Sequence, residues 1–436
     1  MMRTELVVLA LLTAAAPLAA QSADTTRPTV TLEEAIALSL RTQPAVISAE
    51  AAVDNAAARV RTAKGAWLPS LNANASGSQN YSGVPSRVDP NTGLAVGSSS
   101  GSINTSLSSS LTLFDGFQRS ADSKSARASQ DAAGASLVNA QYQQRLATTN
   151  QFLDARAAAD LVRVRAASVT EAQEQFKVSV NKLAAGSATR ADSLQSLVTL
   201  GNAQLQLVQA QAQLATAEAG LARLIGRTGR VGAADDSSFY RTIAEPLDTA
   251  TMRADAEAHS PQVQSARASA VAARASIGSA RAGYWPTLSL SGNIGYSGSS
   301  SRSYSFFQNR GASLSLQWPI FNRFQREQNI ASAENSALTA EAQAADAERA
   351  ISASLTTQFA NLDAARTQIE ITKVSVAAAQ ENLRVQQERY RVGASTILDV
   401  LTAQQALDQS EVDAVTARFA YLRAKAQIEA LIGRSL

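Results

Sequence analysis

The chain carries one pattern twice. Pro44 in RTQPAVISA answers to Pro261 in AHSPQVQSA, and Pro69 in AWLPSL answers to Pro286 in GYWPTL, both at an offset of 217 residues. Further on the offset is 207. Phe114 in LFDGF matches Phe321 in IFNRF, Gly186 matches Gly393, and LIGR at Leu224–Arg227 recurs at Leu431–Arg434. A register kept from Phe114 to Arg227 means one supersecondary unit used in duplicate. The offset changes between the proline and the phenylalanine, so the first copy makes the longer excursion there.

Each copy reads in the same order. A helical stretch, Val46 to Lys64 in the first and Val263 to Arg281 in the second, stops at glycine and proline. Two segments of period two follow, joined by a Gly/Ser-rich loop. Ile103, Leu107, Leu111 and Leu113 share one face, opposite Asn104, Ser106, Ser108, Ser110 and Thr112. The second copy sets Leu288, Leu290, Ile294 and Tyr296 against Thr287, Ser289, Ser291 and Asn293, and continues with Leu314, Leu316 and Trp318 against Ser313, Ser315 and Gln317. These are strands with one apolar and one polar face. A proline-free helix then runs for about 100 Å at 1.5 Å per residue, and a glycine turn leads into a returning helix of about half that length.

The returning helix bears two heptad seams. Leu200, Ala203, Leu207, Ala210, Leu214, Ala217, Leu221 and Leu224 form one; Val198, Gly201, Leu205, Val208, Ala212, Ala215, Ala219 and Ala222 form the other. Two seams require two neighbours, which suits a helix in the wall of a tube better than one inside a bundle. The expected organisation is a first repeat over 21–227 (hairpin 68–114, long helix 116–183, returning helix 189–226) and a connector over 228–258, placed at the equator. The second repeat covers 259–436, with hairpin 286–321, long helix 323–392 and returning helix 396–432.

Export is expected from the start of the chain. Arg3, the apolar run LVVLALLTAAAPLAA and the small residues Ala19 and Ala20 read as a signal peptide over 1–20. No later run is apolar and long enough for a transmembrane helix, so strands are the remaining way to cross a membrane. Four strands cannot close a barrel alone, and lipid tolerates no open sheet edge. The chain must therefore associate, and three copies give twelve strands. Aromatics near the strand ends, Tyr81, Phe114, Phe117, Tyr284, Trp285, Trp318 and Phe321, suit interfacial belts. Ordinary packing at a helix–strand junction is the alternative, and for Trp67 and Trp285 the two readings stand level.

Other chemistry finds little footing. There is no cysteine, which removes disulfides, thiolate metal sites and a thiol nucleophile. His259 is the sole histidine and precedes a proline at a helix start, where capping or exposure is its plain role. Gly226, Gly229 and Gly232 follow no strand and read as a connector, with Asp235 and Asp236 in a solvated loop. A net charge of +3 with interspersed signs argues against nucleic acid.

In this order and in duplicate, AWLPSL and GYWPTL, LFDGF, YRVGASTILDVLTAQ and the paired LIGR resemble the TolC-type outer-membrane efflux family across nearly all of the mature chain. The resemblance implies a mainly α fold with a membrane β-barrel. In that family a homotrimer closes a twelve-stranded barrel, four strands per chain, continued by a helical tunnel across the periplasm. It also implies a passive exit duct in the outer membrane, serving efflux or type I secretion, with a periplasmic adaptor and an inner-membrane pump as partners. Neither a cofactor nor an enzymatic activity is expected. A trimeric adhesin with a coiled-coil stalk is the rival, but such a stalk normally shows one seam and one terminal strand block.

The helix–helix turns are the expected functional ends. Gly186, Ser187 and Ala188 in one, and Gly393, Ala394 and Ser395 in the other, would contact the adaptor. Asp192 and Asp399 lie near helix N-termini, where stabilising the helix dipole is the simpler role. The resemblance adds a gate, with Asp399 in an acidic ring and Asp192 holding a closed state through Tyr390. Ser395 and Thr402 stand where the family carries an arginine and a second acidic residue, which leaves one gating link and one acidic layer in doubt. Trp67, Pro69, Phe114, Trp285, Pro286, Trp318 and Phe321 would mark the junction between barrel and helices.

Overall fold

The structure is a computed structural model that describes residues 27–88, 90–91, 95–235, 249–300 and 305–434. The expected signal peptide, Asp236 and the middle of the connector lie outside the described residues.

The first copy holds β1 (Thr29–Val30), α1 (Leu32–Thr42), α2 (Pro44–Gly65), β2 (Ser70–Val88), β3 (Ala95–Phe114), α3 (Gln118–Ala184) and α4 (Arg190–Leu224). After β4 (Gly232–Ala233) and α5 (Thr249–His259), the second copy repeats the series as α6 (Pro261–Ala282), β5 (Thr287–Ser300), β6 (Ser305–Gln317), α7 (Gln325–Arg391) and α8 (Ile397–Ile432). Both long helices have 67 residues. Pro44 and Pro261 occupy the first turn of α2 and α6, where a missing N–H costs nothing.

The helices stand side by side in a wall. On the half near the sheet the packing order is α2, α3, α6, α7; on the far half it is α4, α3, α8, α7. Thus α3 runs through the middle, with α2 and α4 on one flank and α7 on the other. The two halves meet at an apolar girdle. Leu153, Ile351, Leu355, Phe419, Ile428 and Ile432 are buried in one cluster, and Phe152, Leu221, Ile225 and Val231 in a second. The short parallel pair of β1 with β4 lies beside the second cluster. Gly232, expected in a connector away from any strand, therefore belongs to a strand. Asp235, expected in a solvated loop, is exposed outside any helix or strand and pairs there with Arg156 at 2.7 Å.

The two seams of α4 have different fates within one chain. Ala210, Leu214 and Leu221 of the first are buried, whereas Val198, Leu205 and Val208 of the second are 55–60% exposed. The opposite flank, on α7, exposes Leu338, Ile371 and Val374.

The four long strands form one antiparallel sheet in the order β2-β3-β5-β6, so β2 and β6 are its edges. The register stacks Ala73, Leu107 and Ile294 on one face, and Ser110, Ser291 and Ser313 in another cross-strand row. Ser289 with Ser315 and Ser291 with Ser313 are hydroxyl pairs at 2.8 and 2.7 Å. On the face of Ala73, Leu107 and Ile294, opposite the serine row, Leu71, Leu314 and Leu316 are exposed by more than 60%. The strands are longer than the nine to eleven residues a membrane needs, at 19, 20, 14 and 13 residues. The Ser/Gly/Pro-rich region expected to be loop is paired strand out to Val88 and Ala95. Pro85 is accommodated at a register shift on an edge strand, where a missing N–H breaks no ladder.

Candidate functional site: the hairpin turns and the membrane junction

The α3–α4 and α7–α8 turns are built alike. Gly186 and Gly393 have φ of +73° and +80°. Ser187 N donates to Lys182 O at 2.8 Å, and Ala394 N to Arg389 O at 2.7 Å, closing the last turn of each descending helix around a left-handed glycine. Gly186, Ser187, Gly393 and Ala394 are exposed, while Ala188 and Ser395 are half-buried. The Ser395 hydroxyl donates to Gln386 O at 3.2 Å.

Each ascending helix opens on a capping box. The Asp192 carboxylate accepts from Thr189 N at 2.8 Å and Asp192 N donates to the Thr189 hydroxyl at 3.2 Å; Asp399 and Thr396 repeat this at 2.9 and 3.3 Å. The backbone N–H of Thr396, then its hydroxyl, hold the Asp399 carboxyl below the usual carboxylate range, with Arg389 adding positive charge. Asp399 is exposed, so a charged carboxylate projects at the turn.

The bond expected between Asp192 and Tyr390 does not form. Asp192 is turned to its own helix cap, and the buried Tyr390 hydroxyl finds no protein partner. Lys182 of α3 takes that place, lying 4.0 Å over the Tyr390 ring and donating to the Tyr390 carbonyl. Two further links between the hairpins escaped the sequence reading: Gln387 Nε2 donates to Glu171 at 3.2 Å, and Arg165 pairs with Asp408. Their signal was a run of polar residues on faces that a wall helix must bury.

At the other end, α2 and α6 stop four residues before Pro69 and Pro286, and β2 and β5 begin immediately after them. The prolines therefore start strands and do not end helices. The helices end in matching short turns, with Trp67 N donating to Lys64 O and Tyr284 N to Arg281 O, both at 3.2 Å. Strand passes back to helix through paired left-handed residues, Gly116 and Phe117 in one copy and Arg323 and Phe324 in the other. Trp67 lies under the Arg119 guanidinium at 4.3 Å, and Trp285 meets Phe117 edge-on at 6.2 Å. Phe114 packs on Phe117, Phe321 on Phe324, and Trp318 Nε1 donates to Tyr284 O at 3.3 Å. Trp67, Trp285, Trp318 and Phe321 remain 53–69% exposed.

His259 is exposed and closes α5, and Ser260 takes the N-cap position of α6 without a side-chain cap bond. Among the described residues no group of three or more His, Cys, Asp or Glu is arranged to hold a metal ion.

A one-layer helical wall carrying a two-faced, open-edged sheet defines a class: channel proteins that pair a membrane sheet with a long helical conduit. The sequence matches the profile of the outer membrane efflux proteins over residues 35–227 and 253–434, and the chain belongs to that family. It is 28% identical over 383 residues to protein CyaE of Bordetella pertussis, covering 86% of this chain and 77% of the relative. To the pyoverdine export outer membrane protein OpmQ of Pseudomonas aeruginosa it is 28% identical over 300 residues, 65% of this chain and 60% of that one. Among solved structures, CusC superposes with a TM-score of 0.77 at 20% identity, covering 93% of this chain and 92% of its own. VceC of Vibrio cholerae gives 0.73 at 20%, over 93% and 96%. The chain is thus an exit duct protein of the outer membrane that extends into the periplasm, and not an enzyme.

Proposed function

We propose that three copies of the chain close into one duct, which passively conducts cargo handed over by an inner-membrane pump through a periplasmic adaptor. The observation that carries this reading is the pair of unsatisfied flanks. The sheet ends at the free edges of β2 and β6, and the wall ends at apolar faces on α4 and α7. Lipid forbids the first and water disfavours the second, so both are relieved when one copy's β6 and α7 meet the next copy's β2 and α4. Twelve strands then close the barrel, with the serine rows toward its lumen.

Gly186, Ser187, Gly393 and Ala394 sit at the open ends of the two hairpins, as an adaptor contact requires. The exposed Asp399 would form an acidic ring in a trimer. Trp67, Trp285, Trp318 and Phe321 would lie at the inner rim of the membrane. Native mass of the purified protein, measured with its conductance in a planar bilayer, tests the reading: a conducting trimer is expected, and a non-conducting monomer overturns it. Co-purification of an adaptor and a pump tests the partners.

A further inference from the structure

Below the apolar girdle, the two hairpins of one chain meet along a polar seam. Among the described residues, Arg165 to Asp408, Gln387 to Glu171 and Lys182 to Tyr390 cross it, with Arg418 to Asp160 at 3.9 Å at its girdle end. Around them, Gln175 Nε2, Gln386 Oε1, Gln404 Oε1 and Asp408 Oδ1 are buried without a protein partner. Gln175 and Gln404 are only 7% and 5% exposed. Buried polar atoms left unpaired weaken the packing that buries them. The seam is therefore weakened where these atoms go unpaired.

Its charge is lopsided. Glu171 on α3 faces Asp408 and Glu411 of α8, and Asp408 is itself engaged by Arg165. From α7 come the neutral amides of Gln387 and Gln380; its Glu381 and Glu388 pair with Arg384 and Arg391 on the same helix. On α3, Glu174 is closed on Lys177 at 2.5 Å, and on α8 Asp413 accepts from Gln409 at 2.8 Å. Between Asp192 and Glu218, α4 has no titratable residue. Burial pushes the Glu171 carboxyl up, Glu411 and Asp408 push it further, and the Gln387 amide opposes them. Burial and then Asp408 raise Glu411, against the Gln380 amide.

We propose that Glu171 and Glu411, set against Asp408 in this seam, form a proton-operated latch that holds the two hairpins together in acid and lets them part as pH rises. The latch rests on the reading of the hairpin ends as the mouth of the duct. Parting the seam returns both carboxyls to water and toward their ordinary value of 4.5. The packed arrangement therefore binds protons more tightly. Its advantage is whole below 4.5 and is lost as pH climbs through the raised values. Each unit between packed and parted values changes the packed-to-parted ratio about tenfold.

The absence of native cysteine permits spin labels at Ser187→Cys and Ala394→Cys, with labelled chain diluted so that each assembly carries one pair. The tip-to-tip distance is read at about pH 5 and about pH 8, both above the ordinary value of 4.5 toward which the parted carboxyls return. A longer-distance population is expected to grow at the higher pH. The double variant Glu171→Gln/Glu411→Gln should keep the short distance at both, and Glu348→Gln, paired with Arg267 of α6 on the sheet side of the girdle, should respond like the parent. A parent distance that ignores pH, or a pH response that survives in the double variant, overturns the latch. Conductance of the same samples separates the two readings, since a parent that conducts at neither pH counts against the duct while the distances still decide the latch.

Discussion

At the residue scale, glycine divides into two kinds. Gly186 and Gly393 turn in open space, and an added methyl group there would meet nothing within 4 Å. Gly116 has φ +66° and a methyl group there would run into Trp285 Cβ and, at 2.9 Å, Ala282 O. Gly186→Ala should therefore cost about 1 kcal/mol, the price of a left-handed backbone alone, and Gly116→Ala more than about 2 kcal/mol. Denaturant midpoints of the two variants check the order. Losing the Thr396 hydroxyl of the capping box, in Thr396→Ala, should cost about 1 kcal/mol by the same measurement. If Asp399 rings the mouth, Asp399→Asn should weaken block of single-channel conductance by multivalent cations, and unchanged block would remove it from the gate. The turn glycines were legible because a left-handed helix stop selects glycine. Phe117, Arg323 and Phe324 were not. Bulky residues take positive φ only where the surroundings impose it, here where a strand is redirected into a helix.

At the element scale, periodicity carried most of the reading. The two seams of α4 were plain in the sequence, as was the two-faced character of the strands. Strand length was not, because serine and glycine signal loop by composition, whereas a hairpin partner supplies the ladder that keeps them extended. A second heptad pattern went unread. Arg267, Arg274 and Arg281 of α6 pair with Glu348, Glu341 and Glu334 of α7 at 2.7, 2.5 and 2.8 Å. Residues seven apart on each antiparallel helix must meet in this order. The first copy lacks the pattern, with Lys64 and Arg127 where the second has Arg281 and Glu334. All three pairs are well exposed, so each contributes about 0.5 kcal/mol and is screened by salt. Glu341→Gln should lower stability by about that amount in dilute buffer. Unfolding repeated in molar salt should show the difference gone.

At the scale of the whole molecule, the chain is incomplete on both flanks. Cysteines at Asn74 on β2 and Ser313 on β6, joined by a flexible bismaleimide, should link assembled chains into a ladder that ends at three. A ladder that continues, or none at all, would contradict a closed ring. The amino-acid order by itself determined the duplication, the succession of helix, hairpin, long helix and returning helix, and the need for neighbours. These follow from local rules: a repeat register, periods of two and of seven, and the stops that proline and glycine enforce. Only the tertiary structure decided which seam of α4 the chain covers itself, that Asp192 is spent on its own helix cap, and that Lys182 occupies the place beside Tyr390. It also brought Glu171 of the first copy to Asp408 and Glu411 of the second. The reason is physical. A local pattern states which faces must be covered, but a contact between distant residues depends on how two hairpins lie against each other, and no period in the sequence encodes that.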